Sequence, residues 1–209
     1  MVASHRLVPL LFLPAGIGLL HPILIDGPLD QRLLALGFLL LAVDQARMAR
    51  LDLANITTVQ IQLAERGLAT FSPSLTTFTR LTWGTILWEL LGFYSGAFHL
   101  GWGIILVLSS QVFFNALATI SLTPGAPEPL QPKPLGEKWG LVVANSCGIG
   151  LILLWMADVM PWAIVLGLWA IACIYAGGKI LQSINPSGLL ARHPEEESIS
   201  TIDATTANH

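Results

Sequence analysis

Long apolar stretches separated by short polar turns dominate residues 7–181 of the chain. The most apolar part is residues 81–122, where Glu89 is the only formally charged residue. An α-helix rises about 1.5 Å per residue and the hydrocarbon core of a bilayer is about 30 Å thick, so a spanning helix needs about 20 apolar residues. This segment of 42 residues therefore predicts two spanning helices, joined by a turn at the small and polar residues 94–97.

The same reasoning along the whole chain predicts an all-α integral membrane protein with a single transmembrane domain over residues 1–181. We expect about six transmembrane helices, arranged as three antiparallel hairpins. The predicted spans are residues 7–25, 32–50, 75–96, 99–121, 138–157 and 161–181. The first carries three prolines, so we expect a kinked or partly unwound helix. The second is interrupted by Asp44, and a re-entrant segment is the alternative there.

Three further segments are predicted to lie outside the hydrocarbon core. Residues 55–67 mix apolar and polar positions in a pattern typical of an interfacial amphipathic helix. Residues 123–137 contain five prolines and predict an extended, polyproline-like loop. Residues 182–209 are acidic and rich in serine and threonine, so we expect a disordered cytoplasmic tail.

Composition and charge agree with this class of protein. Hydrophobic residues make up 54% of the chain and charged residues 11%, as in multi-pass membrane proteins rather than soluble domains. With six spans and the N-terminus inside, nine of the ten lysines and arginines fall on the inner side, and only Arg32 falls outside. The positive-inside rule then predicts that both termini are cytoplasmic. The net charge of −3 and the lack of a basic, aromatic patch give no indication of nucleic-acid binding.

Glu89 is the strongest candidate for chemistry, because a carboxylate in the middle of a spanning helix costs roughly 2.5–3.5 kcal/mol on an insertion scale. Such residues often act as protonatable groups that face a cavity or a partner. Gln111 and Asn115 share one face of the fourth predicted span, and Asn145 lies at a similar depth in the fifth. The sequence thus predicts an intramembrane polar cluster of these four residues. The alternative is that the cluster only holds helices together through hydrogen bonds.

No metal site or cofactor is predicted. His21, His99 and Asp158 are weak candidates for metal ligands on the outer side, because no two of them have a spacing that is specific for metal binding. Cys147 and Cys173 lie in apolar runs, and we expect reduced, buried packing residues at matching depths.

Edges of small residues let helices approach closely. The sequence has two such edges, which we interpret as contact surfaces for a membrane-protein partner, in addition to contact with the lipid bilayer. They consist of Gly92 and Gly96 in the third span, and of Gly140, Ala144 and Gly148 in the fifth.

These features favour a non-catalytic accessory, scaffold or assembly subunit of a membrane complex. The alternative is a transporter of a small solute, or a proton-coupled transporter, that uses Glu89. A membrane-embedded enzyme or cofactor-binding protein is the third interpretation. An enzyme is less favoured because the sequence contains no nucleotide-binding loop, nucleophile elbow or HExxH motif.

Overall fold

A computed structural model describes residues 4–25, 27–67 and 72–184 of the chain. Within these residues there are six helices and one pair of short strands. They are α1 (Ser4–Leu24), α2 (Leu29–Glu65), α3 (Pro73–Gly96), α4 (Leu100–Leu117), β1 (Ile120–Leu122), β2 (Leu130–Pro132), α5 (Leu135–Met156) and α6 (Pro161–Ile184). The helical class is therefore confirmed. The predicted tail lies outside the described residues from position 185 onward.

The chain divides into two units, Met1–Leu166 and Gly167–His209. In the described part of the second unit, residues 167–184 continue α6. In the first unit α1 packs along α2, α3 packs along α4, and α5 packs against α4. The strands and the functional candidates discussed below all lie in this first unit.

Three helices in the described part of the chain are long and apolar enough to cross a membrane, by length and composition. Their apolar windows are Leu7–Leu24, Leu100–Leu117 and Lys138–Met156, and α6 contributes a shorter apolar segment, Pro161–Ile174. Helices cover all six predicted stretches, but α2 and α3 carry more polar residues than these criteria allow. The structure thus agrees with a membrane protein, and the count of six spans stays a prediction.

The first helix is continuous, so of the two predicted forms of α1 the partly unwound one is wrong, and the kinked one stays a prediction. Its three prolines, Pro9, Pro14 and Pro22, lie inside the helix, where each removes one backbone donor. The loss is offset because one face of α1 is buried, in a stripe with helical spacing that consists of Val8, Phe12, Ala15 and Leu19. Packing of this stripe against α2 and α3 holds the chain helical through the prolines.

The second helix is a single element of 37 residues, about 55 Å long at about 1.5 Å per residue. The predicted division into a span over residues 32–50 and an interfacial helix over residues 55–67 is therefore wrong. The buried residues explain the continuity, because a set of them recurs every seven positions: Ala35, Ala42, Ala49, Ile56 and Leu63. A helix with one unbroken apolar edge is stabilised by packing against its neighbours along its whole length. If it crosses a bilayer core of about 30 Å, its C-terminal part projects beyond it.

Helices α3 and α4 approach so closely that their backbones touch. A Cβ atom at Gly103 would lie 2.6 Å from the carbonyl oxygen of Gly92 and would also meet the backbone of Gly96. A Cβ at Gly92 would lie 2.7 Å from Cγ2 of Val107. The ring of Phe38, on α2, occupies the space left by the missing side chain of Gly96. Gly92 and Gly96 therefore make close contacts inside the chain, and their role in binding a partner stays a prediction.

The proline-rich segment is not an extended spacer. Strands β1 and β2 pair antiparallel, with Ser121 opposite Gln131, and α5 begins at Leu135, still within the predicted loop. Leu122 and Leu130 pack on a small core formed by α2 and the start of α3, which consists of Val59, Leu63 and Leu75. Burial of these two leucines favours the folded hairpin over a solvated polyproline conformation.

The glycine contact gives a prediction about stability. Replacing Gly103 with Ala should lower the free energy of unfolding by about 1–3 kcal/mol, because the new methyl group has no space between the two backbones. Gly84→Ala, on α3, is the matched control, because no atom lies within 4 Å of its Cβ position. Thermal unfolding of both variants in detergent measures the difference. Equal stability of the two variants would contradict the close approach of α3 and α4.

Candidate functional site

Glu89, Gln111 and Gln45 form a buried cluster that joins three helices. Glu89 lies on α3 with an exposed fraction of 3%. Nε2 of Gln111, on α4, donates a hydrogen bond to Oε1 of Glu89. The same nitrogen donates to Oε1 of Gln45, on α2, at 3.1 Å. One amide group therefore links a carboxyl on α3 to an amide on α2 across the core.

The other two predicted members of the cluster are placed differently. Asn115 is buried one turn beyond Gln111, and its Nδ2 donates to the backbone oxygen of Gln111 at 2.9 Å. It supports the helix that carries Gln111 and does not reach Glu89 through this bond. Asn145 donates to the backbone oxygen of Leu141 on its own helix, also at 2.9 Å. The structure thus brings Glu89 and Gln111 together, adds Asn115 beside them, and leaves Asn145 bonded within α5.

A second carboxyl group lies close enough to Glu89 to interact with it electrostatically. This is Asp52 on α2, beyond the predicted span over residues 32–50. Burial raises the pKa of Asp52 to about 6, and the nearby ammonium group of Lys133 acts in the opposite direction. Lys133 directly follows β2, so the hairpin carries a positive charge close to Asp52. The site therefore contains a series of ionisable groups, from Lys133 through Asp52 to Glu89.

One hydroxyl group beside the cluster lacks a hydrogen-bond partner. Thr85 lies one helical turn before Glu89, and its Oγ1 is buried and unpaired among the described residues. Thr82 on the same helix donates to the backbone oxygen of Phe78 at 2.9 Å, which is the usual way for a helical threonine to satisfy its hydroxyl. Thr85 therefore adds an unsatisfied hydroxyl group next to the cluster.

The opposite side of the cluster is apolar and tightly packed. Phe93 is fully buried one turn after Glu89. Its ring lies 5.7 Å from the ring of Phe12 and 4.8 Å from the ring of Phe38, measured between centroids. Together with the α3–α4 glycine contact, this aromatic group separates the cluster from the loop end where α4 begins.

The weak metal candidates do not form a metal site. His99 and Asp158 line one pocket, beside the start of α4 and the end of α5. His21 lies on α1 and is not among the lining residues. No group of three or more His, Cys, Asp or Glu side chains in the described residues is arranged to hold a metal ion. Asp30, in the same pocket, accepts a hydrogen bond from Nε1 of Trp155 at 3.1 Å.

Cys147 and Cys173 are both free, and both are exposed. The expectation that they are buried in protein packing is therefore wrong. For Cys147 the reason is that only 6% of the window Lys138–Met156 of α5 is buried inside the chain.

Sequence reasoning missed Gln45 and Asp52, although a signal for them existed. Both lie seven residues apart on α2, in line with Phe38 and Val59, which are buried. Residues seven apart share one helical face, so the two polar residues belong to a face that is otherwise buried. The predicted break in α2 concealed this repeat.

No protein-family model, curated protein or solved structure matches the chain.

The raised pKa of Asp52 predicts how stability depends on pH. The folded state holds this proton more tightly than the unfolded state, so the stabilisation by protonated Asp52 is complete below pH 3.8 and is lost as the pH rises through about 6. Asp52→Asn should therefore unfold at a higher temperature than the unmodified protein at about pH 8, with no difference at about pH 4. Glu65→Gln, an exposed acid on the same helix, is the control and should show no such change. A constant difference between Asp52→Asn and the unmodified protein at all pH values would contradict the raised pKa.

Proposed function

We propose that the protein is a six-span membrane protein that carries protons across the bilayer, with Glu89 as the acid that takes them up and releases them. The observation that carries this proposal is the buried carboxyl of Glu89, held by Gln111 at a junction of three helices. The sequence alone favours a functional role for Glu89 less strongly, because the predicted polar cluster contains no second ionisable residue beside Glu89. Asp52 supplies one.

The energetic cost of the cluster supports a functional role. An acidic residue in a spanning helix is costly, and an intramembrane ionisable group is by default a candidate for ion or proton transfer. Two apolar residues at positions 45 and 111 would pack three helices without any polar group to satisfy. The amides of Gln45 and Gln111 instead keep a carboxyl group hydrogen-bonded in the core.

The arrangement of polar groups suggests from which side Glu89 exchanges protons. Asp52 and Lys133 lie toward the hairpin, on the side that the charge distribution predicts to be cytoplasmic. The buried hydroxyl of Thr85 adds a further polar group next to Glu89. The aromatic group around Phe93 blocks the opposite direction. Release to the outer side therefore requires a rearrangement of α3 against α4, as in alternating-access carriers.

The first test is proton flux. Vesicles that contain the purified protein and an entrapped pH-sensitive dye should dissipate an imposed pH gradient faster than protein-free vesicles. Glu89→Gln should abolish the difference, because the amide keeps the size and the acceptor oxygen of Glu89 but cannot exchange a proton. Glu65→Gln should behave like the unmodified protein.

A purely structural role for Glu89 predicts the opposite result. Flux that is equal in Glu89→Gln and in the unmodified protein, or no flux above that of protein-free vesicles, would remove the proposal. Thermal unfolding of the same samples shows whether a loss of flux reflects a loss of fold.

The proposed topology can be tested at the two ends of α5. In a variant without Cys147 and Cys173, Glu128→Cys should lie on the cytoplasmic side and Asp158→Cys on the outer side. A membrane-impermeant maleimide added to sealed right-side-out vesicles should therefore label only Asp158→Cys, and both variants should be labelled after detergent is added. Labelling of both without detergent would mean that α5 does not cross the bilayer.

A second candidate function is an accessory subunit that binds a partner helix along α5. Among the five small residues predicted for this role, Gly148 already contacts Leu108 of α4, where an added Cβ would lie 3.1 Å from Cδ1. Gly140 and Ala144 are exposed, and no atom lies within 4 Å of the Cβ position of Gly140. Of the window Leu100–Leu117 of α4, 39% is buried inside the chain, compared with 6% of the window Lys138–Met156 of α5. Helix α5 therefore has the more open surface.

This second function predicts a stable complex when the protein is purified from its native membrane in mild detergent. Replacing both Gly140 and Ala144 with Leu should release the partner, whereas Ser146→Leu on the opposite side of α5 should not. The mass of the purified particle, measured by light scattering, gives the result. A monomer in all three samples would exclude the accessory role.

A further inference from the structure

We propose that the pocket formed by the start of α2, the start of α4 and the end of α5 binds an organic ammonium ion. The site is distinct from the Glu89 cluster and does not depend on proton transport. It rests on the shape, charge and aromatic lining of the pocket, which are considered in turn.

The pocket has the size of a small-molecule site. Its volume is about 510 Å³, within the range of about 300–1,000 Å³ that is usual for ligand pockets. It is lined by the start of α2, by the α3–α4 turn with the start of α4, and by the end of α5 with the turn that follows. Three separate parts of the first unit therefore contribute to one concave surface.

A buried carboxyl group lies in its wall. Asp30 has an exposed fraction of 8%, and its Oδ2 accepts a hydrogen bond from Nε1 of Trp155. An indole N–H satisfies part of the hydrogen-bonding capacity of a carboxylate but does not neutralise its charge. Asp158, from the turn after α5, adds a second carboxyl group to the lining. The local charge therefore favours a cation.

No basic side chain of lysine or arginine competes for this position. None of the twelve described residues that line the pocket is lysine or arginine, and His99 is the only one with a basic ring. Arg32 is nearby in sequence, but its guanidinium group donates to the backbone oxygen of Gly27 at 3.1 Å and to that of Ile25 at 3.5 Å. Neither of these contacts reaches Asp30, so a cationic ligand can approach its carboxylate.

Three of the twelve lining residues carry phenyl or indole rings, which favour an organic cation over a metal ion. Phe98, Trp102 and Trp155 line the pocket, and the first two have exposed fractions of 84% and 56%. Aromatic faces attract alkylated ammonium groups, which tryptophan binds best. The two carboxylates and the imidazole of the lining are not arranged to hold a metal ion together, because no group of three or more His, Cys, Asp or Glu side chains in the described residues has that arrangement.

An ammonium group of this kind is available from two sources, a soluble amine such as choline or the headgroup of a phosphatidylcholine lipid. The pocket lies at the loop ends of helices, where both have access. The shared chemistry is a methylated ammonium ion, and the lipid composition of the assay distinguishes the two sources.

The test uses the full-length protein in nanodiscs made of phosphatidylglycerol, which lacks an ammonium group. Choline should bind saturably, as measured by calorimetry and by a change in tryptophan fluorescence, and its uncharged isostere dimethylbutanol should not. Asp30→Asn, which keeps an acceptor for Trp155, and Trp102→Leu should each weaken choline binding about tenfold or more. Glu128→Gln, an exposed acid in the β1–β2 loop, is the control and should bind choline normally.

Nanodiscs of phosphatidylcholine identify the source. Suppressed choline binding in these discs would indicate that the lipid headgroup occupies the pocket, and unchanged binding would indicate a soluble amine. The proposal is overturned if choline does not bind in phosphatidylglycerol discs. It is also overturned if dimethylbutanol binds equally well, or if Asp30→Asn and Trp102→Leu both remain folded and bind choline like the unmodified protein.

Discussion

The backbone contact between α3 and α4 determines where the other groups of the core can lie. Because Gly92, Gly96 and Gly103 have no side chains, the two helices meet at a distance that alanine would not allow. Glu89 lies about one helical turn before Gly92, on the side of the β1–β2 hairpin. There the proximity of α3 and α4 places Glu89 within hydrogen-bonding distance of Gln111. A larger separation would leave a carboxyl group buried without its donor, which is a costly state in an apolar environment.

Helix α2 connects the regions of the molecule along a single face. Gln31, Phe38, Gln45, Asp52 and Val59 follow one another at intervals of seven residues, or about 10 Å along the helix. Gln31 lines the pocket, Phe38 contacts Phe93, and Gln45 accepts a hydrogen bond from Gln111. Asp52 is the second carboxyl group, and Val59 belongs to the small core under the hairpin. A break in α2 near residue 50 would disconnect the last two from the first three.

The aromatic and glycine contacts separate two polar regions with different chemistry. The cluster around Glu89 is buried and contains amides and carboxyl groups that suit proton exchange. The pocket around Asp30 is open and includes three aromatic side chains, which suits a larger cation. Because an apolar layer lies between them, each site can be tested without the other.

The sequence by itself determined the helical class and placed helix in all six predicted stretches, and it predicted that Glu89 and Gln111 lie together, because these follow from local hydrophobicity and from the cost of a buried charge. It did not determine that α1 stays helical through its prolines or that residues 120–132 form a hairpin, because burial against other elements decides both. It also did not show that Gly92 and Gly96 face α4, or that Asp52 lies near Glu89. A helical face can be read from spacing along one chain segment, but the neighbour of that face is chosen by packing among segments that are distant in sequence.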